Sequence, residues 1–197
     1  GGVVSERSAM RGYSGSATID QIDDLSFPRS GTFVSVGGRS VYLDSGPDVT
    51  YRKATLSACT AVSRGDHALV AVLRGGTSLR SSLPIYEQFR LGGFLSLSGY
   101  ERGRLAGPYY GLGEIVYHYR LLRLPRPFGT GIYVGASVEA GNVWERARGV
   151  AVADLRYAGS VFVGADTLLG PLYLGLGLAE QGDSSAYVSL GIPLVRD

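Results

Sequence analysis

The feature that most constrains this chain is a strict two-residue alternation running through its second half. In residues 113–122, Ile115, Tyr117, Tyr119 and Leu121 point one way, and Glu114, Val116, His118 and Arg120 the other. In 131–141, Ile132, Val134, Ala136, Val138 and Ala140 oppose Tyr133, Gly135, Ser137 and Glu139. Val161, Val163 and Ala165 oppose Ser160, Phe162, Gly164 and Asp166. Leu172, Leu174, Leu176 and Leu178 oppose Tyr173, Gly175, Gly177 and Ala179. Successive side chains of a β-strand leave opposite faces, so this period belongs to strands; a helix needs 3.6. No stretch of helical period competes, and the pattern predicts an all-β fold.

The first half carries the same rhythm less regularly. Residues 14–22, 32–43, 49–62 and 67–79 are strand candidates, and 1–13 read as a loop or a cut end. Val34, Val36 and Tyr42 share one face of the second candidate. In the third, Leu56 and Ala58 oppose Lys53, Thr55, Ser57 and Cys59, while the two faces of the fourth are hard to separate. A last strand over 186–194 puts Val188, Leu190, Ile192 and Leu194 on one face. Gly, Pro, Asn and Asp mark the turns: 23–31 with Phe27-Pro28, 44–48, 63–66, 123–129 with Pro125 and Pro127, and 167–171. Residues 142–154 form a polar loop around Trp144, and 180–185 another. The sum is about nine strands of roughly 9–12 residues, the length a tilted membrane strand requires.

Which face meets water separates two architectures. A soluble sandwich buries its apolar face and coats the other with charge; a membrane barrel turns the apolar face to lipid and the other to its lumen. Here only 18% of residues are charged, and the second face is Gly, Ser, Tyr and Ala with an occasional charge, a poor solvent coat. The unbroken Leu172, Leu174, Leu176 and Leu178 stripe suits lipid, and Tyr117 and Tyr119 suit an interfacial girdle. No apolar run approaches the length of a membrane helix. The pattern therefore predicts an antiparallel transmembrane β-barrel, its strands closed because lipid satisfies no backbone group. A net charge of +2 gives no sign of a nucleic-acid partner. Cys59, the single cysteine, excludes a disulfide framework and reads as a buried or lumen-facing thiol.

Residues 89–100, Phe-Arg-Leu-Gly-Gly-Phe-Leu-Ser-Leu-Ser-Gly-Tyr, fit neither rhythm. They read as a long ordered loop that the strands surround. The motif Leu97-Ser98-Gly99-Tyr100, the strand segment Ser137-Val138-Glu139-Ala140-Gly141-Asn142-Val143-Trp144 and the turn with Phe27-Pro28 and Gly31 together resemble the C-terminal half of the bacterial surface antigen superfamily. These are outer-membrane assembly and secretion barrels of sixteen strands with periplasmic domains in front. The resemblance covers most of the chain, strongest over 89–194, and implies that the strands here are the last nine. In the family an arginine of the lumenal loop pairs with a strand aspartate; the matching positions here are Ser98 and Glu139. Ser98 cannot make that ion pair, so Arg102 or Arg104 is expected to reach Glu139 and fasten the loop. The Ser-Gly-Tyr version, with Gly-Glu-Ile-Val-Tyr-His-Tyr-Arg and Thr-Leu-Leu-Gly-Pro-Leu-Tyr-Leu after it, looks most like the barrels of patatin-like autotransporters. The chain ends Ile192-Pro193-Leu194-Val195-Arg196-Asp197 without the family's aromatic, which points to a trimmed or tagged terminus.

The implied function is anchoring or export of a passenger domain across the bacterial outer membrane, with lipid and that domain as partners. General assembly or two-partner secretion barrels are the alternative within the family; a passive pore or a soluble β-sandwich binding module are alternatives outside it. Copies could also pair through strand edges. Glu114, His118, Arg120 and Asp166 are expected to line the lumen as a structural network. A catalytic pairing of Glu114 with His118 lacks a nucleophile beside it. No Gly-x-Ser-x-Gly elbow exists for lipase chemistry, and His67 and His118 lie too far apart, without acidic spacing, for a metal site. The chain is expected to be catalytically silent, with no cofactor.

Overall fold

The structure, a computed structural model, describes residues 10–43, 51–125, 129–180, 182–192 and 194. Nine strands form one antiparallel sheet: β1 (Met10–Asp20), β2 (Gly31–Leu43), β3 (Tyr51–Arg64), β4 (His67–Thr77), β7 (Tyr109–Leu122), β8 (Ile132–Trp144), β9 (Arg156–Thr167), β10 (Gly170–Ala179) and β11 (Ser184–Leu190). Every strand pairs with its neighbours in that order. Between β4 and β7 the chain leaves the wall and forms a separate ribbon of β5 (Phe89–Leu91) and β6 (Leu105–Gly107). Among the described residues, β1 and β11 each pair on one side only.

Several boundaries differ from expectation, among them Tyr109 at the start of β7 and Ser184 at the start of β11, and three differences change the packing. The first strand starts at Met10, inside the span read as a loop, because Gly12, Tyr13 and their neighbours pair with Val41 and Ser40. The loop around Trp144 begins later, since β8 runs through Trp144, opposite Tyr109. The last strand stops at Leu190: Gly191 takes φ +74 and turns the chain, so Leu194 is buried in the core and leaves the face assigned to it. The loop expected over 44–48, Pro127 of the 123–129 turn and residues 195–197 lie outside the described residues.

The alternation sorts the two faces as the period requires. Leu174, Leu176, Leu178, Val161, Val163, Val138 and Val188 are exposed on the convex face. Their neighbours Tyr173, Phe162, Ser160, Ser137 and Glu139 are buried on the concave face. On β4, Leu69 and Leu73 face out while Val70, Val72 and Arg74 face in, which settles the strand whose faces the sequence left mixed. A convex surface this apolar is stable in lipid and a liability in water. The sheet curls enough that Phe33 of β2 and Phe162 of β9 share one apolar cluster.

The turn between β1 and β2 closes one end of this interior. Asp24 accepts the amides of Ser26 and Phe27 at 2.6 and 2.9 Å, and Asp23 those of Arg29 and Ser30 at 2.9 and 3.1 Å. These bonds fold the turn inward, and Gly31 at φ +106 completes it; a Cβ there would meet the Gln21 carbonyl at 2.0 Å. Phe27 then stacks on Tyr133 with centroids 4.0 Å apart and rings nearly parallel. Tyr173 donates to the Ser26 carbonyl at 2.5 Å. The turn thus reaches across to strands far from its own.

Candidate functional site

The candidate site is the place where the β4–β7 connection, residues 78–108, meets the concave wall. It is longer than the 89–100 loop expected and is itself structured: Phe89, Arg90 and Leu91, read as loop, pair with Gly107, Ala106 and Leu105. Four of its non-glycine residues, Leu79, Arg80, Leu95 and Leu97, hold φ between 49 and 67°. That conformation costs an ordinary side chain roughly 1–2 kcal/mol, so outside contacts must impose it.

Glu139 of β8 supplies the densest of those contacts. The Ser98 amide donates to its Oε2 at 2.6 Å and the Ser98 hydroxyl to its Oε1 at 2.7 Å. Ser137, on the same face of β8, donates to Oε1 at 2.5 Å and shares a hydrogen bond with Ser160 of β9 at 2.7 Å. Ser98 also accepts the Leu95 amide at 3.0 Å, which closes the strained turn on itself. Ser98 is fully buried and Glu139 nearly so. A carboxylate taken out of water is tolerated when donors surround it, as three do here.

The rest of the motif lies on β10 and β11. Tyr187 accepts the Gly99 amide at 3.0 Å and donates to the Tyr100 carbonyl at 3.1 Å, and Ser185 donates to the Gly99 carbonyl at 3.0 Å. The approach to β10 is backbone on backbone: a Cβ on Gly177 would stand 2.6 Å from the Gly99 nitrogen, and one on Gly99 2.4 Å from the Ala179 nitrogen. Leu97 and Tyr100 pack with Leu91, Leu112 and Ala179. The Arg104 and Arg156 guanidiniums lie over the Tyr100 ring, 5.8 and 5.7 Å from its centroid.

The expected arginines do not reach Glu139. Arg104 pairs with Asp183 of the β10–β11 turn at 2.8 Å, and Arg102 is exposed beside the interior cavity. The basic residue beside the motif comes from the wall instead: Arg74 of β4 hydrogen-bonds Glu114 and donates to the Leu95 carbonyl at 2.8 Å. Glu114, His118, Arg120 and Asp166, expected as one lumenal network, bond Arg74, the Pro28 carbonyl, Asp66 and the Thr130 amide respectively. His118 Nε2 meets the Pro28 carbonyl at 2.9 Å. Arg120 holds Asp66 through two nitrogens, at 3.0 and 2.8 Å. Asp166 accepts the Thr130 amide at 3.0 Å. Leu174, Leu176 and Leu178 are exposed on the convex face, and Leu172 is half-buried there.

Two further carboxylates tie the ends of the interior. Glu87, on the one-turn helix Ile85–Glu87, accepts Lys53 at 2.6 Å and Tyr51 at 2.7 Å. The lysine bond holds its carboxyl below the usual range against the upward push of burial, with Tyr51 assisting. Asp66, in the β3–β4 turn, is held low by its bonds to Arg123 and Arg120. Beside the loop lies a cavity of ≈ 1090 Å³ whose charged lining, among the described residues, is Lys53, Arg74, Arg90 and Arg102. Arg74, Tyr187 and Ser185 escaped the sequence reading. Arg74 left a signal, as the single charge on a strand face otherwise built of Ala68, Val70 and Val72; Tyr187 and Ser185 left none.

A curved antiparallel wall, apolar outside and holding a long chain segment against its inner face, is the architecture of a transmembrane β-barrel wall. The family model for the Omp85 superfamily domain matches residues 6–174, and the chain belongs to that superfamily. Its members are outer-membrane components of bacteria that act as transporters. No curated protein matches the chain.

Proposed function

We propose that this chain is wall and lumenal loop of an outer-membrane translocator that anchors or exports a passenger domain. The observation that carries the reading is the fastening of residues 95–100 to β8, β10 and β11 through Glu139, Ser185 and Tyr187. A loop bound this tightly braces the wall and narrows the lumen while the convex Leu and Val face meets lipid. The Ser-Gly-Tyr motif and the segments around 113–120 and 167–174 favour a patatin-like phospholipase as passenger; its catalysis would lie outside these residues. The open edges of β1 and β11 are completed by further strands or by a second copy, since lipid leaves no edge unpaired.

The test is surface display. A reporter domain joined ahead of the full-length barrel is expected to become sensitive to protease added to intact cells, and Glu139→Ala to reduce that exposure. A barrel that inserts but leaves the reporter protected would overturn passenger export and leave an assembly role in its place.

A further inference from the structure

We propose that Arg74 positions the lumenal loop, supplying from the wall a cation that the loop lacks at Ser98. The inference rests on the reading of residues 78–108 as a lumenal loop. It goes beyond that reading by assigning the hold on Leu95 to a single side chain of β4. Arg74 stands opposite Leu112 in the β4–β7 register, so Glu114 is its diagonal neighbour on the same face. The two form an ion pair with side chains 9% and 0% exposed.

Two features make the arginine more than a counterion. Glu114 stands directly opposite Glu139 in the β7–β8 register, which brings two buried carboxylates side by side. Like charges so placed repel, and a neighbouring guanidinium offsets that. The same guanidinium nitrogen also donates to the Leu95 carbonyl. Leu95 is buried with φ 53°, its amide satisfied by Ser98 and its carbonyl by Arg74. Both polar groups of a strained residue thus depend on side chains, one from the loop and one from the wall. The motif is gripped from both sides of β7, by Arg74 of β4 and by Glu139 of β8. A lysine ammonium could also donate twice from one nitrogen, but it sits on a shorter side chain than the guanidinium's outer nitrogen.

The experiment is limited trypsin digestion of the full-length protein folded in detergent, read at the exposed Arg90, Arg102 and Arg104, with heat-modifiable migration as the measure of barrel integrity. Arg74→Leu removes the ion-pair partner of a buried carboxylate and can fail to fold, so the deciding variant is Arg74→Leu with Glu114→Leu, which removes the pair together. That double variant is expected to keep its heat-modifiable band and to be cleaved in the loop at least tenfold faster. Arg74→Lys, which keeps the charge, is expected to keep the band and to fall between wild type and the double variant in cleavage. Wild-type cleavage rates in the double variant would show that Arg74 serves only Glu114 and overturn the proposal. A double variant that loses the band while Arg74→Lys is cleaved as slowly as wild type would also overturn it, by reducing Arg74 to a counterion. Failure of the wild type to show the band at all would strike the barrel reading instead.

Discussion

The interior is held by different forces at its end and at its middle. At the β1–β2 turn, Phe27 enters a cluster of Tyr133, Tyr173, Phe162 and Leu194, and the contact is area and ring stacking. Around Ser98, beside the packing of Leu97 and Tyr100, the contact is a few short hydrogen bonds to Glu139, Tyr187 and Arg74, on backbone held at unfavourable angles. Apolar contact is non-directional and tolerates substitutions that conserve volume. Buried polar contact is directional and costly when half-made. The Phe27 contact therefore tolerates a change of shape at constant volume, and the loop holds one placement or releases.

The largest effect that would sharpen this contrast is at Phe27. Phe27→Ala is expected to cost about 3–5 kcal/mol of barrel stability, while Phe27→Leu costs much less, both read by the temperature at which the folded band is lost. Equal losses in the two variants would break the contrast at its apolar end. Glu139→Ala comes next. Stranding the Ser98 amide and hydroxyl is expected to weaken loop docking by about 3 kcal/mol and to raise cleavage at Arg90, Arg102 and Arg104, with β content unchanged by circular dichroism. Unaltered cleavage would remove Glu139 from the account. Tyr187→Phe keeps the ring and loses the hydroxyl, and is expected to weaken docking by about 1 kcal/mol, visible as faster hydrogen exchange at Gly99. Protection unchanged there would place the hold on the loop elsewhere.

The smallest expected effect is on pH. Asp66 and Glu87 have carboxyls held below their ordinary values of 3.8 and 4.5 by basic partners. A depressed carboxyl stabilises the fold above its unfolded value, and that contribution fades as pH falls through the folded value. Acidification from about pH 5 toward pH 3 is expected to loosen the β3–β4 turn and residues 85–87 first. Hydrogen exchange at low pH would reveal it, and the β1–β2 turn, whose Asp23 carboxyl is held low by the Arg29 and Ser30 amides against the upward push of burial, is expected to loosen in the same window.

The later strands and their faces were legible because a two-residue period is a local signal, repeated there from strand to strand; the faces of β4 were not. The motif at 97–100 was legible as a break in that period, and Glu139 as a lone carboxylate on a small-residue face. What fastens the two was not. Arg102 and Arg104 were expected at Glu139 because they are near the motif in sequence, yet Arg104 points to Asp183, and Arg74 arrives from a strand more than twenty positions earlier. Tyr187 and Ser185 meet the motif only because β11 lies beside β10, a fact of register between strands. The short β5–β6 ribbon was hidden for a related reason: three-residue strands carry too few alternations to register as a period. Leu194 joined the wrong face because extending the alternation past Gly191 ignored the turn that a glycine at positive φ makes there.

The most direct measurement of the central claim is the migration of the full-length protein after extraction from outer membranes, boiled and unboiled, with and without detergent. A hydrogen-bonded cylinder with a lipid-facing Leu and Val band is predicted to need detergent for solubility and to shift on boiling. A monodisperse species free of detergent, with one mobility before and after heating, would contradict it.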